Sequence, residues 1–206
     1  MKGFYFITDA GLSRQGIIND VRDAIASGVR VIQYRRKHES TKIMYDEATA
    51  IKAVCASAGC RLIVNDRIDI ALAIDADGVH IGQDDMPYEA ARRLLGPHKI
   101  IGVTVHNMSE ALEAERAGAD YLGVSPIFAT STKPDAGVPC GTETLRAIRS
   151  SCRIPIAAVG GITIENADAV IEAGADMICA IAAVLTAPDL IGAITQFQRK
   201  FHYDTG

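Results

Sequence analysis

Short apolar runs alternate with longer amphipathic or alanine-rich runs along the whole chain, and that alternation restricts it to α/β folds. Strands are expected near Gly3–Thr8, Val29–Tyr34, Arg61–Asn65, Gly78–Ile81, Ile100–Thr104, Tyr121–Ser125, Ile156–Val159 and Met177–Ala180. Helices are expected at Gly16–Ser27, Thr41–Ser57, Ile68–Ile74, Tyr88–Leu95, Ser109–Ala117, Thr142–Ser150, Glu165–Ala173 and Pro188–Phe201. Runs such as Leu62-Ile63-Val64 and Ile156-Ala157-Ala158-Val159 are apolar throughout, as strands covered on both faces are. Ser109 is the expected N-cap of its helix, with Asn107-Met108 starting the turn before it.

An internal echo reinforces the alternation. Ala117-Gly118-Ala119-Asp120-Tyr121 matches Ala173-Gly174-Ala175-Asp176-Met177, with weaker copies at Ala26–Arg30 and Asp75–Val79. At each joint a helix ends and a strand begins, and Gly28, Gly118 and Gly174 suit the left-handed residue that closes a helix. Eight βα units in 206 residues leave about 26 residues each, compact but within the range of (β/α)8 barrels. The expected fold is a compact (β/α)8 TIM barrel of parallel strands, one domain over residues 1–206. An open doubly wound sheet is the alternative, because periodicity does not distinguish a closed sheet from an open one. The tail His202–Gly206 is expected to fray.

Composition narrows the function classes. Hydrophobic residues make up 49% and charged residues 22%, the balance of a folded globular chain. A net charge of −4 with no long basic stripe argues against nucleic acid. No apolar run approaches membrane-spanning length, and the chain enters a strand at once, so neither a membrane segment nor a cleavable leader is expected. The five cysteines are odd in number and show no CxxC spacing, which argues against structural zinc and a disulfide framework. They are expected to be small buried packing residues in a reducing, cytoplasmic protein.

Polar groups cluster just after the apolar runs. These places are Gln33–Lys37, Asn65–Arg67, Gly82–Asp85, Thr104–His106, Thr130–Lys133, Gly160-Gly161 and Ala180–Ala182. In a parallel sheet all strand C-termini lie on one face, so residues over a hundred positions apart would converge there. Asn65-Asp66 and Asp84-Asp85 bring carboxylates that suit Mg²⁺, which takes one or two carboxylates with water and phosphate oxygens. Singly, each Asp could equally cap a helix or form a turn. Gln33, Arg35 and Lys37 alternate at period two and can share one face, with Arg36 pointing away into solvent. The long segment Ser125–Gly137 carries hydroxyls and Lys133 and reads as a functional lid or as a polar surface loop. Gly160-Gly161 lets backbone N–H groups approach an anion or simply makes a tight turn. His80 and His106 have no HxH or HxxxH partner and are expected to be hydrogen-bonded structural residues. Nucleophile-elbow, P-loop and GxGxxG patterns are all missing from the sequence.

Seven ordered motifs resemble the thiamine-phosphate synthase (thiamine-phosphate pyrophosphorylase) family. They are FYFITD (Phe4–Asp9), IQYRRK (Ile32–Lys37), VNDRIDIA (Val64–Ala71), ADGVHIGQDD (Ala76–Asp85), GVTVHN (Gly102–Asn107), GADYLGVSPIFATSTKPD (Gly118–Asp135) and PIAAVGGIT (Pro155–Thr163). The resemblance implies joining of 4-amino-2-methyl-5-hydroxymethylpyrimidine diphosphate to 4-methyl-5-(2-hydroxyethyl)thiazole phosphate, giving thiamine phosphate and diphosphate. It implies that Gln33, Arg35, Lys37 and Asn65 hold the pyrimidine and its diphosphate, and that Asp66 and Asp85 bind Mg²⁺. Thr104 and Lys133 would contact the diphosphate. Thr130 and Thr132, with backbone at Gly160, Ile181 and Ala182, would hold the thiazole phosphate. Arg35, Lys37 and Lys133 would carry catalysis by stabilising the leaving diphosphate.

The sequence departs from the family pattern in three places. Thr104 stands where Ser is usual, Arg36 where Glu is usual, and Ala182 where Ser is common. The thiazole tautomerases share the fold but differ in the diphosphate and metal set. They are the alternative reading, together with a non-catalytic barrel that binds a phosphorylated ligand. The expected partners are small molecules, with self-association left open.

Overall fold

The computed structural model describes residues 1–130, 132 and 137–201. Lys133, Ser131 and the tail expected to fray lie outside the described residues. Among the described residues, eight strands form one sheet: β1 (Gly3–Ile7), β2 (Val31–Tyr34), β3 (Arg61–Asn65), β4 (Gly78–Ile81), β5 (Ile100–Val105), β6 (Tyr121–Val124), β7 (Ile156–Val159) and β8 (Met177–Cys179). Every strand pairs in parallel with its sequence neighbours, and β8 pairs back onto β1. That last pairing decides between the two expected folds in favour of the closed (β/α)8 barrel.

The helices are α1 (Ile17–Ala26), α2 (Thr41–Ser57), α3 (Ile68–Ala73), α4 (Tyr88–Leu95), α5 (Met108–Ala117), α6 (Gly141–Ser151), α7 (Ala167–Glu172), α8 (Ile181–Leu185) and α9 (Leu190–Arg199). Eight of them fall where the alternation predicts, within two residues at most ends. The five-residue α8, directly after β8, is additional. Two local expectations are corrected. Asn107 caps α5, not Ser109: its side chain accepts from Glu110 N, while the Glu110 carboxylate accepts from the Asn107 side chain and from His106 N. This reciprocal arrangement satisfies more end groups than a cap at Ser109 could. Arg36 points away from the barrel interior but not into solvent. It is half-buried against α2 and pairs with Glu39 and Glu47.

The period-two pattern of each strand divides the core. Outward residues such as Phe6, Ile32, Leu62, Val79, Ile101, Leu122, Ala158 and Ile178 pack under the helices. Inward residues Tyr5, Ile7, Val31, Ile63, Tyr121, Ala157, Met177 and Cys179 fill the barrel.

The echo in the sequence has a physical basis at the N-terminal face of the barrel. Asp77, Asp120 and Asp176, just before β4, β6 and β8, each accept a backbone N–H from the preceding strand: Leu62, Ile101 and Ile156 respectively. The same three carboxylates pair with Lys52, Arg92 and Arg149 from α2, α4 and α6. The unit therefore repeats every two strands. At the fourth position Arg30 replaces the Asp, and the corresponding N–H, on Phe4, is accepted by Gln198 of α9.

Candidate active site

At the opposite face, the strand C-termini enclose a cavity of about 750 Å³. Its walls include Gln33, Arg35, Lys37, Asn65, Asp66, Asp85, Thr104, Thr130, Thr132, Gly160, Ile181 and Ala182. Of the stretches singled out from sequence, Ser131 and Lys133 lie outside the described residues. The period-two expectation for the second strand holds, because Gln33, Arg35 and Lys37 all line the cavity and Arg36 does not.

Arg35 is fixed from β1. The buried Thr8 hydroxyl accepts from Arg35 N at 2.9 Å and donates to Arg35 O at 3.2 Å, clamping its backbone. Asp9 then pairs with the guanidinium at 3.1 Å. Sequence reasoning assigned no role to Thr8 or Asp9, although both end the first strand run and the FYFITD motif.

The two acidic loops differ in construction. Asp66 has φ 59°, a left-handed conformation that only Gly, Asn and Asp adopt readily. A tight turn from Asn65 O to Arg67 N, at 2.6 Å, encloses it, and its own N–H donates to His80 O. Backbone strain of this kind concentrates at functional sites. Asp85 accepts from Gly82 N at 2.7 Å within its turn. Among the described residues no three metal-ligating side chains converge, so a cation here would draw on these two carboxylates and on ligand oxygens.

The β6–α6 segment leans on the end of β7. Ile127 N donates to Val159 O and Phe128 N to Gly160 O. Gly160 and Gly161 both have positive φ, and a Cβ on Gly160 would come within 2.7 Å of Pro126, one on Gly161 within 2.5 Å of Ala129 O. The glycine pair thus seats the segment that carries Thr130 and Thr132, a packing role that sequence did not suggest. The additional α8 begins beside it, with Ile181, Ala182 and Ala183 of its first turn lining the cavity. Barrels commonly bind phosphate between the loops after strands seven and eight and a short extra helix of this sort. A five-residue Ile-Ala-Ala-Val-Leu run gives no amphipathic signal, which is why it escaped notice.

Beneath the cavity lies a buried polar chain. Gln33 Nε2 donates to the Tyr5 hydroxyl at 2.9 Å, and the Tyr5 and Tyr121 hydroxyls are 2.9 Å apart. Tyr121 is 2.9 Å from His80 Nδ1, and His80 Nε2 is 2.8 Å from Thr104 Oγ1. Burial pushes both phenols well above their ordinary pKa, so they stay protonated. Two glycines make room for the rings: a Cβ on Gly102 would collide with Tyr121 and one on Gly123 with His80. His80 is therefore hydrogen-bonded as expected, but through partners on other strands. His106 also lines the cavity, and its Nδ1 is 2.9 Å from Glu110.

A closed parallel barrel with a large cavity of mixed polar and apolar lining at the C-terminal ends of its strands belongs to the class of (β/α)8 enzymes. The family model for thiamine monophosphate synthase matches residues 4–184, and the chain belongs to that family. The thiamine-phosphate synthase of Chloroflexus aurantiacus is 55% identical over 195 residues, 94% of this chain and 90% of the relative. That of Methanosarcina barkeri is 53% identical over 187 residues, 91% of this chain and 84% of the relative. The solved thiamine phosphate pyrophosphorylase from Pyrococcus furiosus superposes with TM-score 0.90 at 40% identity, covering 99% of this chain and 97% of its own. The chain is accordingly an enzyme of the transferase class, with the thiamine-phosphate synthase activity for which these relatives are named. No helix among the described residues is long and apolar enough to cross a membrane.

Proposed function

We propose that the cavity joins 4-amino-2-methyl-5-hydroxymethylpyrimidine diphosphate to 4-methyl-5-(2-hydroxyethyl)thiazole phosphate, with the chain acting as one barrel domain. The observation that carries this reading is the convergence of Arg35, Lys37, Asp66, Asp85 and Thr104 on one cavity of about 750 Å³. Two cations, two carboxylates and a hydroxyl suit a diphosphate with a divalent cation, and the volume lies in the range of small-molecule sites.

Gln33 and Asn65 hold the pyrimidine in this reading, while Arg35, Lys37 and Thr104 face its diphosphate. Asp66 and Asp85 would hold Mg²⁺, whose chemistry when bound is to neutralise charge growing on the departing diphosphate. The pyrimidine CH2–O bond breaks first, with electron release from the ring amino group stabilising the cationic CH2. The thiazole nitrogen then attacks that carbon. Arg35 and Lys37 stabilise the negative charge on the leaving oxygen, and Lys133 from the β6–α6 segment joins them. Thr130, Thr132 and the backbone at Gly160, Ile181 and Ala182 hold the thiazole phosphate. Neither a nucleophile nor a general base is required of the protein, and its contribution is positioning and electrostatics. A reducing, cytoplasmic setting suits the five free thiols.

The test is to incubate the protein with both substrates and Mg²⁺ and to follow diphosphate release and thiamine phosphate by mass. Equal amounts of the two products are expected. Isomerisation of a thiazole phosphate alone, without condensation, would instead identify a tautomerase.

A further inference from the structure

The buried chain below the cavity has a direction. Distances alone allow each O–H···O or N···H–O contact to run either way. The count of hydrogens does not. Gln33 Nε2 donates to Tyr5, so the Tyr5 hydroxyl must spend its own hydrogen elsewhere, and Tyr121 is the other partner within reach among the described residues. If Tyr121 donated to Tyr5 instead, the Tyr5 hydrogen would be stranded in a fully buried position, a cost comparable to a lost hydrogen bond. With Tyr5 donating, Tyr121 donates to His80 Nδ1. Nδ1 is then an acceptor, the imidazole hydrogen sits on Nε2, and Nε2–H donates to Thr104 Oγ1. Thr104 has accepted, so its own hydrogen is left for the cavity.

We propose that His80 is a positioning residue, held as the Nε2–H tautomer by the Gln33–Tyr5–Tyr121 relay so that Thr104 presents its hydroxyl hydrogen to the anionic part of the substrate. The reversed relay would present a lone pair there and repel a diphosphate oxygen. The high pKa of both buried phenols supports the relay, because a phenolate could not pass a hydrogen bond on. Gly102 and Gly123, which admit the two rings, are part of the same device. The proposal rests on reading the cavity as the diphosphate site, but its first test does not use activity.

The experiment is ¹⁵N NMR of the imidazole nitrogens of the ligand-free full-length protein, with His80 assigned by loss of its signals in His80→Gln. Nδ1 is expected at the unprotonated shift and Nε2 at the protonated one. Gln33→Glu, whose carboxylate accepts from Tyr5, should reverse the relay and move the hydrogen to Nδ1. In turnover, His80→Leu should lower kcat about tenfold, the scale of one hydrogen bond, with little change in KM for the pyrimidine diphosphate. His80→Gln, which still carries an N–H donor, should recover most of it. A wild-type His80 protonated on Nδ1, or on both nitrogens, would overturn the proposal whether or not the protein is a synthase. So would a folded His80→Leu with unchanged kcat.

Discussion

The two faces of the barrel use the same residue types for opposite purposes. At the N-terminal face, Asp77, Asp120 and Asp176 each find a backbone N–H and a Lys or Arg from the chain itself. At the C-terminal face, Asp66 and Asp85 line a cavity, with Asp66 held in a left-handed turn. The first three are tied to both a backbone N–H and a cation of neighbouring elements and contribute stability, whereas Asp66 and Asp85 also line the cavity, with Asp85 accepting from Gly82 N within its own turn. Loss of a carboxylate from the first face should therefore reduce stability and spare turnover, and loss of a carboxylate from the second should reduce turnover more than stability.

The largest effect belongs to the cavity. Asp66→Asn and Asp85→Asn keep a residue that tolerates these turns and remove the charge. Each should lower kcat/KM by about 10²–10³-fold, roughly 2.7–4 kcal/mol, the scale for losing one transition-state stabiliser. Steady-state diphosphate release checks this, and full activity of the wild type after thorough chelation of divalent ions would break the metal assignment.

Next comes Gly160→Val. A Cβ there meets Pro126 and Ile127 N, so the substitution displaces the segment bearing Thr130 and Thr132. The expected outcome is a loss of about 1–3 kcal/mol in stability, the usual scale for overpacking, with a raised Kd for the thiazole phosphate. Pyrimidine diphosphate binding should change less. Calorimetric titration with each substrate separates the two, and equal losses for both would merge what the comparison keeps apart.

On the opposite face, Asp176→Ala leaves Ile156 N–H without its carboxylate acceptor. An unsatisfied N–H costs about 1–3 kcal/mol. The partly exposed pair with Arg149 adds little. At about 2–4 °C per kcal/mol for a chain of this size, Tm should fall by several degrees while kcat stays within twofold. A collapse of kcat with unchanged Tm would invert the assignment of the two faces.

The smallest effect is one of pH. Glu115 accepts from Arg153 N and Ile154 N, and these backbone bonds, Arg153 first, hold its carboxyl below the usual glutamate range. A depressed folded pKa contributes stability that is present above the ordinary glutamate pKa and lost as pH falls through the folded one. Glu115→Gln should therefore flatten the acid limb of the stability curve and leave turnover at neutral pH unchanged. Urea unfolding at a series of pH values reads this directly.

Most of the barrel was legible because its physics is local. The fully apolar strands and the Gly-Ala-Asp joints mark each unit, and period two along β2 separates Gln33, Arg35 and Lys37 from Arg36. What escaped depends on contacts between distant elements. Arg36 reads as a solvated charge because Glu47, which joins the nearby Glu39 in meeting it, comes from α2. His80 looked solitary because Tyr121 and Thr104 reach it from β6 and β5. Thr8 and Asp9 gained a role only once β1 lay beside β2. Gly160-Gly161 suggested anion binding, and its contact with Pro126 and Ala129 became visible only in three dimensions.

One measurement tests the contrast between the faces most directly: thermal unfolding of wild type, Asp176→Ala and Asp85→Asn, each with and without pyrimidine diphosphate and Mg²⁺. A ligand that binds only the folded state raises Tm through a stabilisation of RT ln(1 + [L]/Kd), so at fixed ligand concentration the rise reports Kd. Asp176→Ala should start several degrees lower and show the full ligand-induced rise. Asp85→Asn should start near wild type and lose most of that rise. An Asp85→Asn protein that keeps the whole rise, or an Asp176→Ala protein that loses it, would contradict the account.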